Sequence, residues 1–364
     1  MKEVYLISGA RPNIIKAYSV YDALKKRGAK PYFIYLTQHY TKNLSEDIFD
    51  SLRFYPDETI YVKPCIDKLM WFSTALLKFN TFLKKTKIKE CVVFGDVDTS
   101  MLTTMAIKKY SPKIKLYHVE AGLRCFESKM QEELNRIIID HLSDVLFASE
   151  PNAIENLKKE GLSKKTIYTG NVMIDTLKHF VKVQDTPKRN GIIITIHRKE
   201  NLNIQNLGSI FSALMDSMDA YQQTTFAFIL HPHTCRYINE NPVLKKKFEK
   251  IKKRINFKTM EALPYVDFVK RISMSEAVIT DSGGLQEETT YLNVPCITLR
   301  TSTERPVTIT HGTNVILPPN EAKFTKKLRG LIYDILNRKW KKTKKIDGWD
   351  GKASHRIAKF ITEW

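Results

Sequence analysis

Small residues separate an apolar run from a polar one in residues 278–288, VITDSGGLQEE. The apolar letters predict a buried strand, and the two glycines predict an abrupt turn into a helix. Backbone N–H groups at such a turn, at the positive end of the helix dipole, bind anionic oxygens. Ser282 and Gly283 would supply donors there, and Glu288 follows about one and two-thirds helical turns later. The segment predicts a site for a diphosphate that carries a sugar.

The same letters also fit a simpler structure. Asp281 and Ser282 are both residue types that cap helices, and glycines are common in tight turns that bind nothing. Short motifs occur by chance often enough that this segment alone does not decide between the two interpretations.

Five further polar side chains follow predicted strands at the point where each strand ends: Arg11, Asp96, Glu120, His197 and His231. In open parallel sheets, ligands bind at the edge formed by the carboxyl ends of the strands. Six such groups, with Ser282, predict one ligand site built from strand ends. Two sheet edges of this kind that faced each other would form a cleft between domains.

Short β-rich runs that alternate with amphipathic stretches position these groups. This alternation predicts an α/β fold with parallel sheets covered by helices on both faces. A polar stretch at residues 184–190 divides the runs into two sets and predicts an interdomain linker. The predicted strands are residues 4–7, 31–35, 91–94, 115–119, 144–148, 166–168, 191–196, 225–230, 277–280 and 296–299.

Several of these polar residues also have ordinary structural explanations. Arg11 and Lys16 would hold phosphate charge, but either residue also fits an exposed surface position. Asp96 would cap the helix after its strand. Glu120 is harder to explain in this way, because a carboxylate at the end of an apolar strand falls in a partly desolvated position.

The histidines and the paired glutamates leave similar alternatives open. His197 precedes Arg198 and Lys199, whose charges would lower its pKa and keep the imidazole neutral. Single histidines such as His231 are usually structural. Glu132 and Glu133 begin a predicted helix that fits an ordinary solvent-facing stripe with ion pairs, formed with Lys129, Arg136 and Asp140.

Composition limits the classes of protein that the chain can belong to. A length of 364 residues, 43% hydrophobic residues and a mean hydropathy of −0.31 describe a two-domain globular protein. No apolar run approaches the ~18–20 residues that span a bilayer. The N-terminal segment reads as a first strand rather than a signal peptide. Five scattered cysteines without CxxC spacing predict reduced thiols, a cytoplasmic protein and no metal site.

The net charge of +20 would attract any polyanion. The densest lysine runs, at residues 84–89, 245–254 and 338–345, fall at predicted helix ends and connectors, and motifs of nucleic-acid-binding folds are absent. We therefore expect solvated faces and no nucleic acid, while association with an anionic membrane surface stays open.

The motifs, in their order along the chain, resemble those of the non-hydrolysing UDP-N-acetylglucosamine 2-epimerase family. The resemblance runs nearly from end to end. It comprises GARPNIIK (9–16), TQH (37–39), GDVDTS (95–100), HVEAGLR (118–124), EELNR (132–136), GNVMIDTL (170–177), HRKEN (197–201), LHPHT (230–234), TDSGGLQEE (280–288), TERP (303–306), HGTNV (311–315) and WDGKASHRI (349–357).

The resemblance implies a GT-B-like pair of Rossmann-type domains with a nucleotide sugar between them, no cofactor, and a homodimer. It implies an N-terminal domain at 1–183, a UDP-binding domain at 184–349, and a C-terminal helix at 350–364 that packs back on the N-terminal domain. The implied catalytic residues are Asp96, Glu120, Glu133 and His197; the implied substrate-binding residues are Arg11, Lys16, Arg124, His231, Ser282, Gly283, Glu288 and Arg305.

The activity that the resemblance implies is reversible epimerisation of UDP-GlcNAc to UDP-ManNAc, which supplies surface polysaccharide synthesis. Four alternatives remain from the sequence. A hydrolysing epimerase would release ManNAc and UDP, and a related enzyme would act on a UDP-diacetamido uronic sugar. A GT-B glycosyltransferase or a non-catalytic nucleotide-sugar-binding protein would also carry many of these features.

Overall fold

The structure is a computed structural model that describes residues 1–38, 42–65, 67–127, 130–182 and 189–364. It contains two compact units, one formed by residues 1–179 with 346–364 and the other by residues 180–345. The predicted linker at residues 184–190 lies largely outside the described residues, as do His39 of the TQH motif and Lys129 of the predicted polar stripe.

All of the described strands belong to two sheets. Those of the first unit are β1 (Glu3–Ser8), β2 (Lys30–Leu36), β3 (Glu58–Ile60), β4 (Glu90–Phe94), β5 (Lys115–Ala121), β6 (Val145–Ala148) and β7 (Thr166–Tyr168). Those of the second unit are β8 (Ile192–Thr195), β9 (Phe226–Ile229), β10 (Phe257–Met260), β11 (Ala277–Thr280), β12 (Cys296–Thr298) and β13 (Asn314–Ile316).

Helices connect most of the consecutive strands. In the first unit they are α1 (Arg11–Lys26), α2 (Lys42–Leu52), α3 (Lys68–Lys85), α4 (Asp98–Tyr110), α5 (Gln131–Leu142), α6 (Pro151–Lys159) and α7 (Val172–Phe180), which ends one residue beyond the unit. In the second unit they are α8 (Ile204–Ala220), α9 (Pro232–Glu240), α10 (Pro242–Lys252), α11 (Tyr265–Ser273), α12 (Gly283–Tyr291), α13 (Val307–Thr310) and α14 (Phe324–Leu336). The last helix, α15 (Ala353–Glu363), belongs to the first unit.

Both sheets are parallel and doubly wound, as predicted. The first has the strand order β3-β2-β1-β4-β5-β6-β7, and the second has the order β10-β9-β8-β11-β12-β13. Their central strands are buried on both faces because helices cover them, as in Ile192–Thr195. In each sheet the order reverses beside the first strand of the unit, and ligands bind at the carboxyl ends next to such a reversal.

Three strands, β3, β10 and β13, were not predicted. Each is an edge strand of only three or four residues, and none of them is buried along its whole length. An edge strand has a neighbour on one side only and does not require a continuous apolar run. The ten predicted strands are all present, with ends that shift by at most two residues.

Buried hydrogen bonds join the C-terminal segment to the first unit. Both carboxylate oxygens of Asp175, in α7, accept from the start of α15: Ala353 N at 3.2 Å and Ser354 N at 2.6 Å. The indole of Trp349 donates to the carbonyl of Ser149 at 3.3 Å. Helix α15 packs on α1. None of the described helices is long and apolar enough to cross a membrane.

Candidate active site

The predicted turn into a helix is present at the carboxyl end of β11. Ser282 precedes α12 and makes no side-chain capping hydrogen bond, and Asp281 directs its carboxylate elsewhere. The simpler interpretation, in which these two side chains cap the helix, is therefore wrong. Because neither side chain caps α12, the first N–H groups of the helix are left to other acceptors.

Gly283 is required at the start of α12 because other side chains approach its Cα closely. A Cβ at this position would lie 2.7 Å from Oε1 of Glu304 and 3.2 Å from Nη1 of Arg305. By contrast, a Cβ at Gly284 would have no atom within 4 Å. The two glycines thus serve different purposes, since one admits protein side chains and the other leaves space.

Alternating charges form a buried row beside this helix. Arg300 Nη2 lies 3.0 Å from Oε2 of Glu304, whose Oε1 accepts from Nη1 of Arg305. Arg305 Nε lies 2.9 Å from Oε1 of Glu287 in α12. All four side chains are at most 7% exposed. Arg305, expected to bind substrate, is held by two carboxylates beside the helix, and the two arginines and two glutamates of the row balance in charge.

Asp281 is fully buried and organises the loop that carries His197. Its carboxylate accepts from the backbone N–H groups of His197 at 3.1 Å and Arg198 at 3.0 Å, and from the side chain of Asn201 at 3.1 Å. The Asn201 amide also donates to the carbonyl of Leu299. One carboxylate therefore joins the ends of β8, β11 and β12.

The imidazole of His197 is half-buried beside the same carboxylate, with Nδ1 3.3 Å from Oδ1 of Asp281. Burial lowers the pKa of His197 and the charge of Arg198 adds to this, although Asp281 opposes the shift. The predicted lowering of the His197 pKa is confirmed, but burial contributes more to it than the neighbouring cation does. The ring of His231, at the end of β9, lies 5.5 Å from that of His197. The structure thus brings together His197, His231 and Ser282 at one edge.

Glu120 has the most unusual backbone among the predicted site residues. Its φ of 74° is in the left-handed region, and the pairing of β5 with β6 shifts register between Val119 and Ala121. Such a conformation is disfavoured for a glutamate and is maintained by the surrounding sheet. The bulge changes the direction of the side chain, which is 3% exposed and pairs with Lys16 Nζ at 2.6 Å.

Asp96 follows β4. It is the most accessible of the three carboxylates that were predicted to be catalytic. Its side chain is 24% exposed, and Oδ2 accepts from Nε of Arg136 at 2.9 Å and Nη2 at 2.7 Å. The amide of Asn135 donates to the Asp96 carbonyl at 2.9 Å. Two adjacent residues of α5 therefore fix the position of Asp96.

Glu133 is buried, so the prediction of a solvent-facing stripe on α5 is wrong. Arg136 and Asp140 are buried as well. Glu133 accepts from the backbone N–H groups of Cys125 at 3.1 Å and Phe126 at 2.9 Å, and from Arg136. Burial by itself would raise the pKa of Glu133, but these donors outweigh it and lower the pKa. Glu133 is an ionised anchor for the loop after β5.

Arg124, which was expected to bind substrate, is also part of the scaffold. Its guanidinium is 1% exposed and donates to Asp140 at 2.7 Å, to Glu160 at 2.8 Å and to the carbonyl of Leu123. Asp140 also contacts Nδ1 of His118 at 2.7 Å, and the other ring nitrogen lies 3.0 Å from the carbonyl oxygen of Gly95. These contacts give Arg124 a positioning role, because its donors are directed at protein acceptors.

The remaining predicted residues lie where the sequence placed them. Arg11 is the first residue of α1, directly after β1, and Glu288 is 3% exposed in the second turn of α12. Among the described residues, no group of three or more histidine, cysteine and acidic side chains is arranged to hold a metal ion.

Sequence reasoning missed Asp281 as an organising residue, and it missed the row from Arg300 to Glu287. A signal for Asp281 was present, since it directly follows an apolar strand as the other site residues do. The letters LRTSTERP of residues 299–306 gave no such signal, because three charges within six residues fit a surface loop equally well.

The fold and the site define a class of protein. Two doubly wound parallel sheets, a helix N-terminus open to an anion and buried carboxylates at strand ends describe a GT-B-like α/β protein of the nucleotide-sugar-binding type. The chain belongs to the UDP-N-acetylglucosamine 2-epimerase family, whose model matches residues 22–362. The resemblance seen in the motifs is thereby confirmed.

Similar proteins match over nearly their whole length. A UDP-N-acetylglucosamine 2-epimerase of Methanocaldococcus jannaschii is 32% identical over 98% of both chains. The crystal structure of UDP-GlcNAc 2-epimerase from that organism, in complex with UDP-GlcNAc and UDP, has a TM-score of 0.86 at 31% identity and covers 100% of both chains. A UDP-2,3-diacetamido-2,3-dideoxy-D-glucuronate 2-epimerase of Pseudomonas aeruginosa is 29% identical over 99% of both chains.

We predict that Asp140→Asn destabilises the protein at neutral pH by about 3 kcal/mol, because it removes a buried partner of Arg124 and His118. Hydrogen bonds from His118 and Arg124 outweigh the effect of burial and hold the pKa of Asp140 below its ordinary value of 3.8. A lowered folded-state pKa stabilises the fold above that ordinary value, and this contribution disappears as the pH falls through the folded-state pKa.

The measurement is the free energy of unfolding in urea at neutral pH and at successively lower pH. The difference between wild type and Asp140→Asn should shrink in acid. Asp22→Asn is the control, since Asp22 makes an exposed ion pair with Lys26 and should change stability by less than about 0.5 kcal/mol. A difference between wild type and Asp140→Asn that stays constant with pH would contradict the assignment.

Proposed function

We propose that this protein catalyses reversible epimerisation at carbon 2 of UDP-N-acetylglucosamine, giving UDP-N-acetylmannosamine by elimination and re-addition of UDP. The observation that carries the proposal is Glu120. It is a buried carboxylate in a left-handed backbone conformation at a β-bulge, paired with Lys16 at the carboxyl edge of the first sheet. Strained, desolvated acids of this kind are typical of catalytic sites.

In this proposal the diphosphate binds at the start of α12. Gly283 and Gly284 offer backbone donors at the positive end of the helix, and the hydroxyl of Ser282 is not used as a cap. The same groups would stabilise UDP as it leaves, because its charge increases when the bond to the sugar breaks.

The chemistry at the sugar requires proton transfer at carbon 2. As the bond between carbon 1 and the UDP oxygen breaks, the developing cation makes the proton on carbon 2 removable. A carboxylate takes that proton, the electron pair forms a carbon 1–carbon 2 double bond, and UDP departs with the electrons of the broken bond. A proton delivered to the opposite face of carbon 2, followed by return of UDP to carbon 1, completes the inversion.

The contacts favour Glu120 and Asp96 over Glu133 as the groups that move protons. Glu133 accepts hydrogen bonds from the loop after β5 and from Arg136, and its lowered pKa makes it a weak base. Asp96 is partly accessible, and Glu120 lies beside the ammonium group of Lys16. We assign Glu133 the role of holding the loop at residues 123–127.

His197 acts as a neutral group in this scheme. Its lowered pKa leaves the imidazole uncharged at neutral pH, and Asp281 fixes the backbone that carries it. A neutral ring can donate a hydrogen bond to a phosphate or sugar oxygen from one nitrogen while the other accepts. We propose that His197 and His231 contact the substrate beside the diphosphate.

A second candidate substrate is a UDP-diacetamido uronic sugar. It is favoured by the similarity to the Pseudomonas aeruginosa enzyme over nearly the full chain. The chemistry at carbon 2 would be the same, and only the groups at carbons 3 and 6 would differ. If the protein acts on this sugar and not on UDP-GlcNAc, the proposed substrate changes and the reaction class stays the same.

The test of the reaction is proton NMR of the purified protein with UDP-GlcNAc in deuterated water. We expect deuterium at carbon 2 with UDP still attached, and a mixture of both epimers. Glu120→Gln should lower the exchange rate by at least about 100-fold, the lower range for general acid–base catalysis, while the affinity for UDP stays within a few fold.

Glu132→Gln is the matched control, since Glu132 is an exposed neighbour of Glu133 and carries the same type of side chain. It should exchange like wild type. Release of free ManNAc and UDP would indicate a hydrolysing enzyme instead. Wild-type exchange in Glu120→Gln would remove Glu120 from the mechanism.

The two glycines of α12 test the diphosphate site. We predict that Gly283→Ala weakens UDP binding by at least about tenfold, because its methyl group displaces Glu304 and Arg305 at a cost of about 1–3 kcal/mol. Gly284→Ala meets no protein atom and should leave thermal stability unchanged. Calorimetric titration with UDP measures binding, thermal unfolding measures the stability of Gly284→Ala, and unchanged binding in Gly283→Ala would contradict the site.

We further propose a cytoplasmic homodimer that serves surface polysaccharide synthesis. An apolar face on α3 supports the dimer. Leu69 is 78% exposed and Leu77 is 68% exposed, and the two residues lie on the same face of the helix about two turns apart. Helix α4 packs on α3, and α5 packs on α4. These neighbouring helices add Met105, Leu134 and Ile137 to the exposed apolar residues. Exposed apolar side chains on three adjacent helices favour a protein interface.

Light scattering after gel filtration tests the dimer. Wild type should elute at twice the chain mass of 42.2 kDa, and Leu77→Glu should shift it toward the monomer because a charge would be buried at the interface. Val243→Glu, which alters an exposed residue of the second unit, should remain a dimer. A monomeric wild-type protein would refute the proposal.

A further inference from the structure

Positive charge is concentrated in the second unit. Residues 180–345 contain 28 lysines and arginines against 15 acidic residues, and residues 242–258 alone contain eight basic residues and one acidic residue. Helix α10 buries Leu244, Phe248 and Ile251, so its lysines cover the outer face. Most of the +20 net charge is therefore local rather than evenly spread.

One edge of the second sheet combines this charge with exposed apolar side chains. All six strands are parallel, so the residues that precede them lie at a common edge, which we call the amino edge. Exposed cations there include Lys253 before β10, Lys270 and Arg271 before β11, and Lys339 after α14. Strands β10 and β11 are three positions apart in the sheet, or about 14 Å.

Acidic side chains at the amino edge are largely neutralised by neighbours. Arg254 pairs with Asp219 at 2.9 Å, and Arg338 pairs with Glu276 at 3.0 Å. These pairs remove the acids that would repel an anion. The exposed lysines of the edge are left to set its potential.

Ile255 protrudes from the middle of this charge. It is 94% exposed in the turn between α10 and β10, and Met274, before β11, is 43% exposed. The turn is firmly held, because the buried amide of Asn256 donates to the carbonyls of Met218, Tyr221 and Thr224 at 3.1–3.2 Å. Lysines at helix ends compensate helix dipoles, but that role does not require an exposed isoleucine among them.

We propose that the amino edge of the second unit is a docking surface for an anionic lipid bilayer. Clusters of lysines attract anionic headgroups, and a protruding aliphatic side chain inserts at the boundary of the acyl chains. Nucleic-acid surfaces instead add arginines and aromatic rings that stack on bases. Outside the two ion pairs, the exposed cations of this edge are three lysines and Arg271, and their exposed neighbours Ile255 and Met274 are not aromatic, which favours lipid.

Docking at this edge is compatible with catalysis. His197, His231 and Ser282 lie at the carboxyl ends of the same strands, which is the opposite edge of the sheet. A protein held by its amino edge would keep that substrate edge directed away from the bilayer. Membrane binding and epimerisation are therefore separable by mutation.

The experiment is co-sedimentation of the full-length protein with phosphatidylcholine vesicles, with and without phosphatidylglycerol. We expect binding only to the vesicles that contain phosphatidylglycerol, weakened by added salt. The double variant Lys253→Glu with Lys270→Glu should reduce the partition coefficient by at least about tenfold. Ile255→Ser should reduce it without changing the salt dependence.

Two control variants change residues at the other end of α10. Lys245→Glu with Lys246→Glu makes the same charge change there, and Val243→Ser removes a residue that is 64% exposed. Both controls should bind vesicles like wild type, and all variants should keep wild-type epimerase activity. The proposal is overturned if wild type ignores anionic vesicles, if the controls lose binding equally, or if a short RNA binds as tightly through the same residues.

Discussion

Buried charges near the strand ends, among them Glu120, Glu133 and Asp281, have a partner of opposite charge or a set of N–H donors, and the arrangement of the site follows from that requirement. An unpartnered ion in the interior would cost several kcal/mol. Glu120 is buried beside Lys16, and Asp281 is buried because three donors from one loop surround it. The residues that do chemistry and the residues that support them are therefore parts of the same networks.

These networks explain which parts of the site could be predicted from the sequence. The strand-end rule placed Asp96, Glu120, His197 and Ser282 correctly, since each depends only on where an apolar run stops. The roles of buried partners could not be predicted in the same way. Polar residues spaced three to four positions apart give the same sequence pattern whether the stripe faces water or a buried ion-pair network. On α5 the stripe faces the network that includes Glu133.

The fold could be predicted from the sequence to a similar extent. Central strands are continuous apolar runs because helices cover both faces of the sheet, and all of them were found. The three missed strands lie at sheet edges, where half-exposed residues such as those of Phe257–Met260 carry no such pattern. The backbone conformation of Glu120 could not be predicted from the sequence either. A register shift between neighbouring strands, rather than a local preference of glutamate, imposes its left-handed conformation.

The hydrogen bonds that α15 donates to Asp175 have a consequence for biosynthesis. The first unit is discontinuous along the chain, so a ribosome completes the entire second unit before it releases the segment at residues 346–364. Until then, α1 and α7 lack a packing partner and the Asp175 carboxylate has none of its native donors. The half of the molecule that is translated first is thus the last to acquire its full set of contacts.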